Sequence, residues 1–115
     1  MHELSIAMSI VEVAEEESER RGGVRVVAVH LRVGVLAGVS KEALLSSYEM
    51  ACDNTALAGS QLVVEEIPGI IYCSACDGRH PVRAPEWFCC AACGSLATEI
   101  VQGKELEVVS LEVES

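Results

Sequence analysis

Positive charge is scarce in this sequence. Eight lysines and arginines stand against 18 aspartates and glutamates in 115 residues, a formal net charge of −10. A surface of that sign has few cations with which to displace counterions from phosphates, which excludes nucleic acid as a partner class and disfavours an anionic membrane surface. Long apolar runs are lacking too: no segment reaches the roughly 20 residues needed to span a bilayer. The opening residues lack the basic stretch and small-residue cleavage site of a secretory signal, and acids follow at once, so a cytoplasmic location is expected. There is no GxxxxGK(S/T) phosphate loop, so any nucleotide hydrolysis would belong to a partner. There is no Ser/His/Asp, Cys/His or paired-carboxylate constellation either, and the chain is not expected to be an enzyme. No low-complexity linker interrupts it. At this length it reads as one domain, or one domain with a small module inserted.

The rest of the chain is strongly patterned. From Leu4 to Arg21, Leu4, Ala7, Met8, Val11 and Ala14 recur at helical spacing, widened by Ile6, Ile10 and Val13. Arg20 and Arg21 suit the negative end of that helix, and Gly22-Gly23 stop it. VRVVAVHLRVGV predicts a strand with Val27, Val29, Leu31, Val33 and Val35 on one face and Ala28, His30, Arg32 and Gly34 on the other. Ser40 is an N-cap for a second helix over about 41–55, with Leu44, Leu45, Tyr48, Ala51 and Cys52 inward. GSQLVVEEIP predicts a short strand ended by Pro68 and Gly69. KELEVVSLEVE predicts another, whose apolar phase shifts after Val108 as at a bulge or twist. The stretch between them is rich in Cys, Pro and Gly, and its apolar periodicity is too weak to predict a core of its own.

Six cysteines in a cytosolic chain point to ligands before disulfides. Cys73-Ser-Ala-Cys76 and Cys90-Ala-Ala-Cys93 are two CxxC pairs with thirteen residues between them. Each such turn aims two thiolates at one point, and two turns close a tetrahedral S4 shell that suits structural zinc and leaves no position for water. Zinc would supply folding free energy that this segment lacks. Cys89 is a poorer partner, since Cys89 and Cys93 enclose three residues, and it reads as a bystander thiol. Cys52 falls at core spacing on the second helix and reads as a small hydrophobe. The ribbon residues Asp77, Arg79, Arg83, Glu86 and Glu99 provide no basic stripe for phosphates.

His2 has a special covalent position. The Met1 amine nitrogen and the His2 amide nitrogen can close a five-membered ring on a metal, and the same amide with His2 Nδ1 a six-membered one. Three near-planar nitrogens suit tetragonal nickel or copper, and Glu3 or a water can complete the shell. Such a site is open and exposed, fit for a metal that is handed on. Chelate geometry alone leaves the alternative standing, a terminal histidine with no role. His30 reads as a sheet-face residue and His80 as a ribbon-surface residue.

MHELSIA at the start, GSQLVVEEIP before the knuckles, the paired CxxC motifs, and CGS…GKELEVVSLEVE at the end together resemble the HypA/HybF family of nickel chaperones for nickel–iron hydrogenase maturation. The likeness runs from residue 1 to about 114. It implies an α+β fold, a small three-stranded mixed sheet with two helices, plus an inserted zinc-ribbon-like module. It implies a nickel-binding α/β domain over 1–69 and 102–115 and a zinc-binding module over 70–101. It also implies that His2 is the essential nickel ligand, helped by Glu3, with Cys73, Cys76, Cys90 and Cys93 on structural zinc. The partners it implies are a HypB-type GTPase and the hydrogenase large subunit, with urease served by some members; a weak homodimer is also expected. Three positions depart from the family pattern. Ala91 stands where many members have proline, Cys89 and Cys90 form a doublet, and Ser40 brings no carboxylate to the second helix, so nickel affinity rests more heavily on the terminus. The rival expectation is a zinc-ribbon adaptor for a protein partner. A small zinc hydrolase is disfavoured by the all-cysteine shell.

Overall fold

The computed structural model describes residues 3–82, 89–97 and 99–114. His2, Arg83 and Glu86 lie outside them. The described chain runs α1 (Glu3–Arg20), β1 (Val26–Gly34), α2 (Lys41–Cys52), β2 (Gln61–Ile67), β3 (Ile70–Cys73), β4 (Gly78–Pro81), β5 (Glu99–Gln102) and β6 (Leu106–Val113). It is an α+β fold with two three-stranded sheets, ordered β2-β1-β6 and β4-β3-β5.

Helix α1 buries Ala7, Ile10, Val11, Ala14 and Ser18. This stripe is narrower than the apolar pattern allows: Leu4, Met8 and Val13 are exposed, because a helix packed on one side buries only the residues nearest its line of contact. Its end is a Schellman cap. The Gly23 N–H donates to the Ser18 carbonyl at 2.8 Å and the Gly22 N–H to the Glu19 carbonyl at 3.1 Å. Gly22 and Gly23 both have positive φ, 85° and 82°, which a residue with a Cβ adopts only with strain. Helix α2 packs against α1. It begins at Ser40, whose hydroxyl accepts the Ala43 N–H at 3.2 Å. Leu44, Tyr48 and Cys52 are its buried residues; Leu45 is exposed.

Strand β1 does not alternate as the sequence pattern predicts. Val26, Ala28, Val29, Leu31 and Val33 are all buried, whereas Val27 and Val35 are exposed. Buried residues fall on both parities because β1 is the centre strand of its sheet, where both faces can be shielded. The Glu114 N–H donates to the Arg25 carbonyl at 2.9 Å, joining the start of β1 to the end of β6, so these two strands run antiparallel. The Val35 N–H meets the Ile67 carbonyl at 3.0 Å where β1 and β2 both end, so this pair runs parallel, and the sheet is mixed. In β6 only Val108 and Leu111 are half-buried, three residues apart, as the shifted apolar phase anticipates.

The chain forms two compact units. One takes in the chain through Leu31, Val39–Glu65, and the chain from Glu107 onward. The other takes in Arg32–Gly38 and Glu66–Leu106. Three glycines meet at close range within the second unit. A Cβ on Gly34 would stand 1.9 Å from the Gly103 carbonyl oxygen, and one on Gly103 would stand 2.8 Å from Gly69 Cα. The Leu36 N–H also donates to the Gly103 carbonyl at 2.7 Å. Backbone therefore packs directly on backbone where only glycine fits. Ile71, Cys73 and Cys90 form a fully buried cluster in this unit, lined by Val82, Ala97 and Ile100. This corrects the expectation that the segment has no core. The core is small, two of its three fully buried residues are cysteine, and its strands are four residues long, too short to show a period.

Candidate metal centre

Strand β3 pairs antiparallel with β4, setting Ile71 opposite His80 and Cys73 opposite Gly78, and with β5 on its other side. The tight connection between β3 and β4 is the first knuckle. It turns at Asp77, with φ 51°, and the Tyr72 hydroxyl donates to Asp77 Oδ1 across it. The second knuckle follows isolated bridges of Cys90 with Val82 and of Cys89 with Leu96. Within it the Gly94 N–H donates to the Cys90 carbonyl, and the Cys90 N–H to the Ser95 carbonyl, both at 2.8 Å. Gly94, at φ 81°, supplies the left-handed residue that closes the turn.

These two turns bring Cys73, Cys76, Cys90 and Cys93 together with all four sulfurs within 4.8 Å of one another. Among the described residues this is the one group of three or more His, Cys, Asp or Glu side chains arranged to hold a metal. Tetrahedral zinc with bonds near 2.3 Å needs sulfurs separated by about 3.8 Å; Cys73 Sγ and Cys93 Sγ stand 3.5 Å apart. The donor set and its dimensions fit zinc, whose four bonds to thiolate would cross-link the two knuckles. Cys73 and Cys90 are buried, and Cys76 and Cys93 are exposed. Cys89 stays outside the cluster and is half-buried, since neighbouring residues of an extended segment point to opposite sides.

Cys93 and Cys76 differ as acids. Cys93 is lowered to about 6, chiefly because the Ser95 hydroxyl, then its backbone N–H, donates to the sulfur. Cys76 is pushed up to about 12, chiefly by its hydrogen bond to Cys93. Spacing does not single out Ser95, whose only signal is its place two residues after the last knuckle cysteine.

The remaining candidates are dispersed. Glu3 is half-buried and its Oε2 accepts the Ser40 N–H at 3.1 Å. His30 Nε2 lies 2.9 Å from Glu112 Oε1 on the sheet. Cys52 is buried, 3.8 Å from Ser60 Oγ, which Tyr48 contacts at 2.7 Å. His80 stands on β4, half-buried.

Residues 1–113 match the family described as hydrogenase/urease nickel incorporation, metallochaperone, HypA. The chain belongs to the HypA family. Relatives agree with the match. The hydrogenase maturation factor HypA of Roseiflexus sp. (strain RS-1) is 45% identical over 114 residues, covering 99% of this chain and 93% of that protein. The namesake factor of Chloroflexus aurantiacus is 44% identical over 112 residues, covering 97% and 98%. In fold the chain is similar to the solution structure of the Ni metallochaperone HypA from Helicobacter pylori, with a TM-score of 0.66 at 23% identity over 98% of this chain and 97% of that one. A second solution structure of a HypA protein gives a TM-score of 0.70, also at 23% identity, over 99% and 97%. As a HypA protein the chain serves nickel incorporation in hydrogenase maturation, and its four-cysteine cluster fits the structural zinc site. No described helix is long and apolar enough to cross a membrane.

Proposed function

We propose that nickel is carried at the amino terminus, by the Met1 amine, the His2 amide and the His2 imidazole, with Glu3 beside them. The observation that carries this reading is the closure of the cysteine cluster. Four thiolates within 4.8 Å of one another use every tetrahedral position, so a metal held there is not one to hand on. A delivered metal needs an open, labile donor set, and the MHE start supplies one. Residues 1–69 with 102–115 form the nickel-carrying part, and Cys73, Cys76, Cys90 and Cys93 in 70–101 hold zinc that shapes the module.

In this reading the chain performs no reaction of its own. It works in the cytoplasm with a HypB-type GTPase that supplies nucleotide hydrolysis, and it passes nickel to the hydrogenase large subunit. It binds neither nucleic acid nor membrane, and its self-association is weak at most. The test is a single-residue extension. The untagged chain should bind one nickel, and a residue placed before Met1, which turns the amine into an amide, should abolish that binding while zinc stays. Unchanged nickel binding would favour the rival zinc-ribbon adaptor.

A further inference from the structure

A groove of about 410 Å³ runs between the second half of α1 and β6, within one compact unit. Val13 and Glu17 line it on the helix side, and Val109, Leu111 and Val113 on the strand side. Val13 is 51% exposed, Val109 49% and Val113 41%, so apolar surface stands open to water along both walls. β6 is also the end strand of its sheet, and one of its edges meets no other strand among the described residues. The Glu114 N–H points inward, donating to the Arg25 carbonyl at 2.9 Å. Alternation along an antiparallel strand then turns the Val113 and Leu111 N–H groups to the open edge. Backbone donors beside an apolar trough are a template for one more strand.

We infer that this groove and edge receive an extended segment of a partner protein, apolar where it meets α1 and basic on its flanks, which adds to the sheet beside β6. The charge of the two walls selects it. Residues 107–114 carry Glu107, Glu112 and Glu114 and no lysine or arginine. The second half of α1 carries Glu12, Glu15, Glu16, Glu17 and Glu19, and its two arginines, Arg20 and Arg21, are both engaged by Glu17. Lysines or arginines flanking an incoming strand meet carboxylates on either side. A second copy of the chain fits worse. Two β6 strands paired antiparallel about their midpoint set Glu107 opposite Glu112 twice, and each chain already carries a charge of −10. A helix would cover the valines but leave the edge N–H groups unpaired, whereas an extended segment satisfies both.

The probe is a capped peptide of alternating lysine and valine, 8 residues long like β6, titrated into the isotope-labelled, zinc-loaded chain at about 0.15 M salt. Amide shifts should be confined to β6 and to α1 from Val13 to Arg20, with a Kd below about 1 mM. The Leu111 and Val113 amides should become protected from hydrogen exchange. A glutamate–valine peptide should bind at least about tenfold more weakly. Val113→Pro removes an outward N–H at an edge position that tolerates proline, and Val109→Lys sets a cation in the groove from an exposed site that leaves the core intact. Each should weaken the basic peptide about tenfold or more, while Met50→Lys, exposed on α2, should bind it as wild type does. Circular dichroism and zinc content check the fold of each variant. Equal binding of the glutamate peptide, shifts scattered over the acidic surface, or wild-type affinity in Val109→Lys would overturn the inference. Shifts of the same amides that grow with protein concentration in the absence of peptide would assign the groove to a second copy and overturn it too.

Discussion

Cys73 Sγ and Cys93 Sγ are 3.5 Å apart, although 20 positions separate them in the chain. Two different knuckles meet at that distance, and a metal is what makes such a meeting favourable. Replacing Cys73, Cys76, Cys90 or Cys93 with serine should therefore lower zinc content and unstructure the 70–101 segment while the helical signal survives, because α1 and α2 belong to the other unit. Cys89→Ser should leave zinc in place. Metal analysis of the five variants, with circular dichroism, decides. Zinc lost in Cys89→Ser and kept in Cys90→Ser would reverse the ligand assignment.

Much of this organisation is legible in the sequence because it follows from period and covalent chemistry. The helices come from three-to-four spacing, the Ser40 cap and the Gly22-Gly23 stop, and the cysteine cluster from two CxxC turns. Each of these is local. What the sequence hides is long-range. Leu4, Met8 and Val13 belong to the apolar pattern of α1 yet are exposed, since the pattern does not say how wide the packed face is. Val27 and Val35 are exposed while Val26 and Ala28 are buried, because β1 takes a central place that its own residues do not announce. β4 and β5 are four residues each and lack a period. The Glu3–Ser40 contact joins residues 37 apart, and no motif marks it.

The glycine packing in the second unit gives a sharp stability test. Gly34→Ala would place a Cβ 1.9 Å from the Gly103 carbonyl oxygen, a collision with backbone that no side-chain rotation relieves. It should destabilise the protein by about 3 kcal/mol or more. Gly38→Ala meets nothing within 4 Å and bears only the strain of φ 74°, so it should lose about 1 kcal/mol. Urea unfolding of both variants measures the difference, and equal stabilities would refute the close approach.

Tyr48 should impose an alkaline limit. Burial is the leading reason that its phenol is raised above the ordinary value of 10, and its hydroxyl contacts Ser60 Oγ at 2.7 Å. The unfolded chain ionises this group near pH 10 while the native one keeps it neutral. The contribution is thus full below pH 10 and is lost as pH climbs above it. Tyr48→Phe should be less stable by about 1 kcal/mol at pH 8, a modest loss because Ser60 Oγ still donates to the Leu57 carbonyl. The gap should close as pH rises from 8 to 11, as read by urea unfolding. A gap that widens would show that Tyr48 ionises in the native state.

The most direct test of nickel carriage at the terminus is calorimetric nickel titration of untagged wild type and His2→Ala, with zinc measured in the same samples. His2 precedes the buried stripe of α1, so its loss removes no core volume and should change unfolding free energy by less than about 0.5 kcal/mol. It does remove the imidazole and the six-membered chelate ring. One nickel should bind to the wild type, more weakly as pH falls through the histidine range near about 6.5, because the metal must displace protons. His2→Ala should lose most of that affinity while keeping its zinc. Equal nickel affinity in the two proteins would contradict nickel carriage at the terminus.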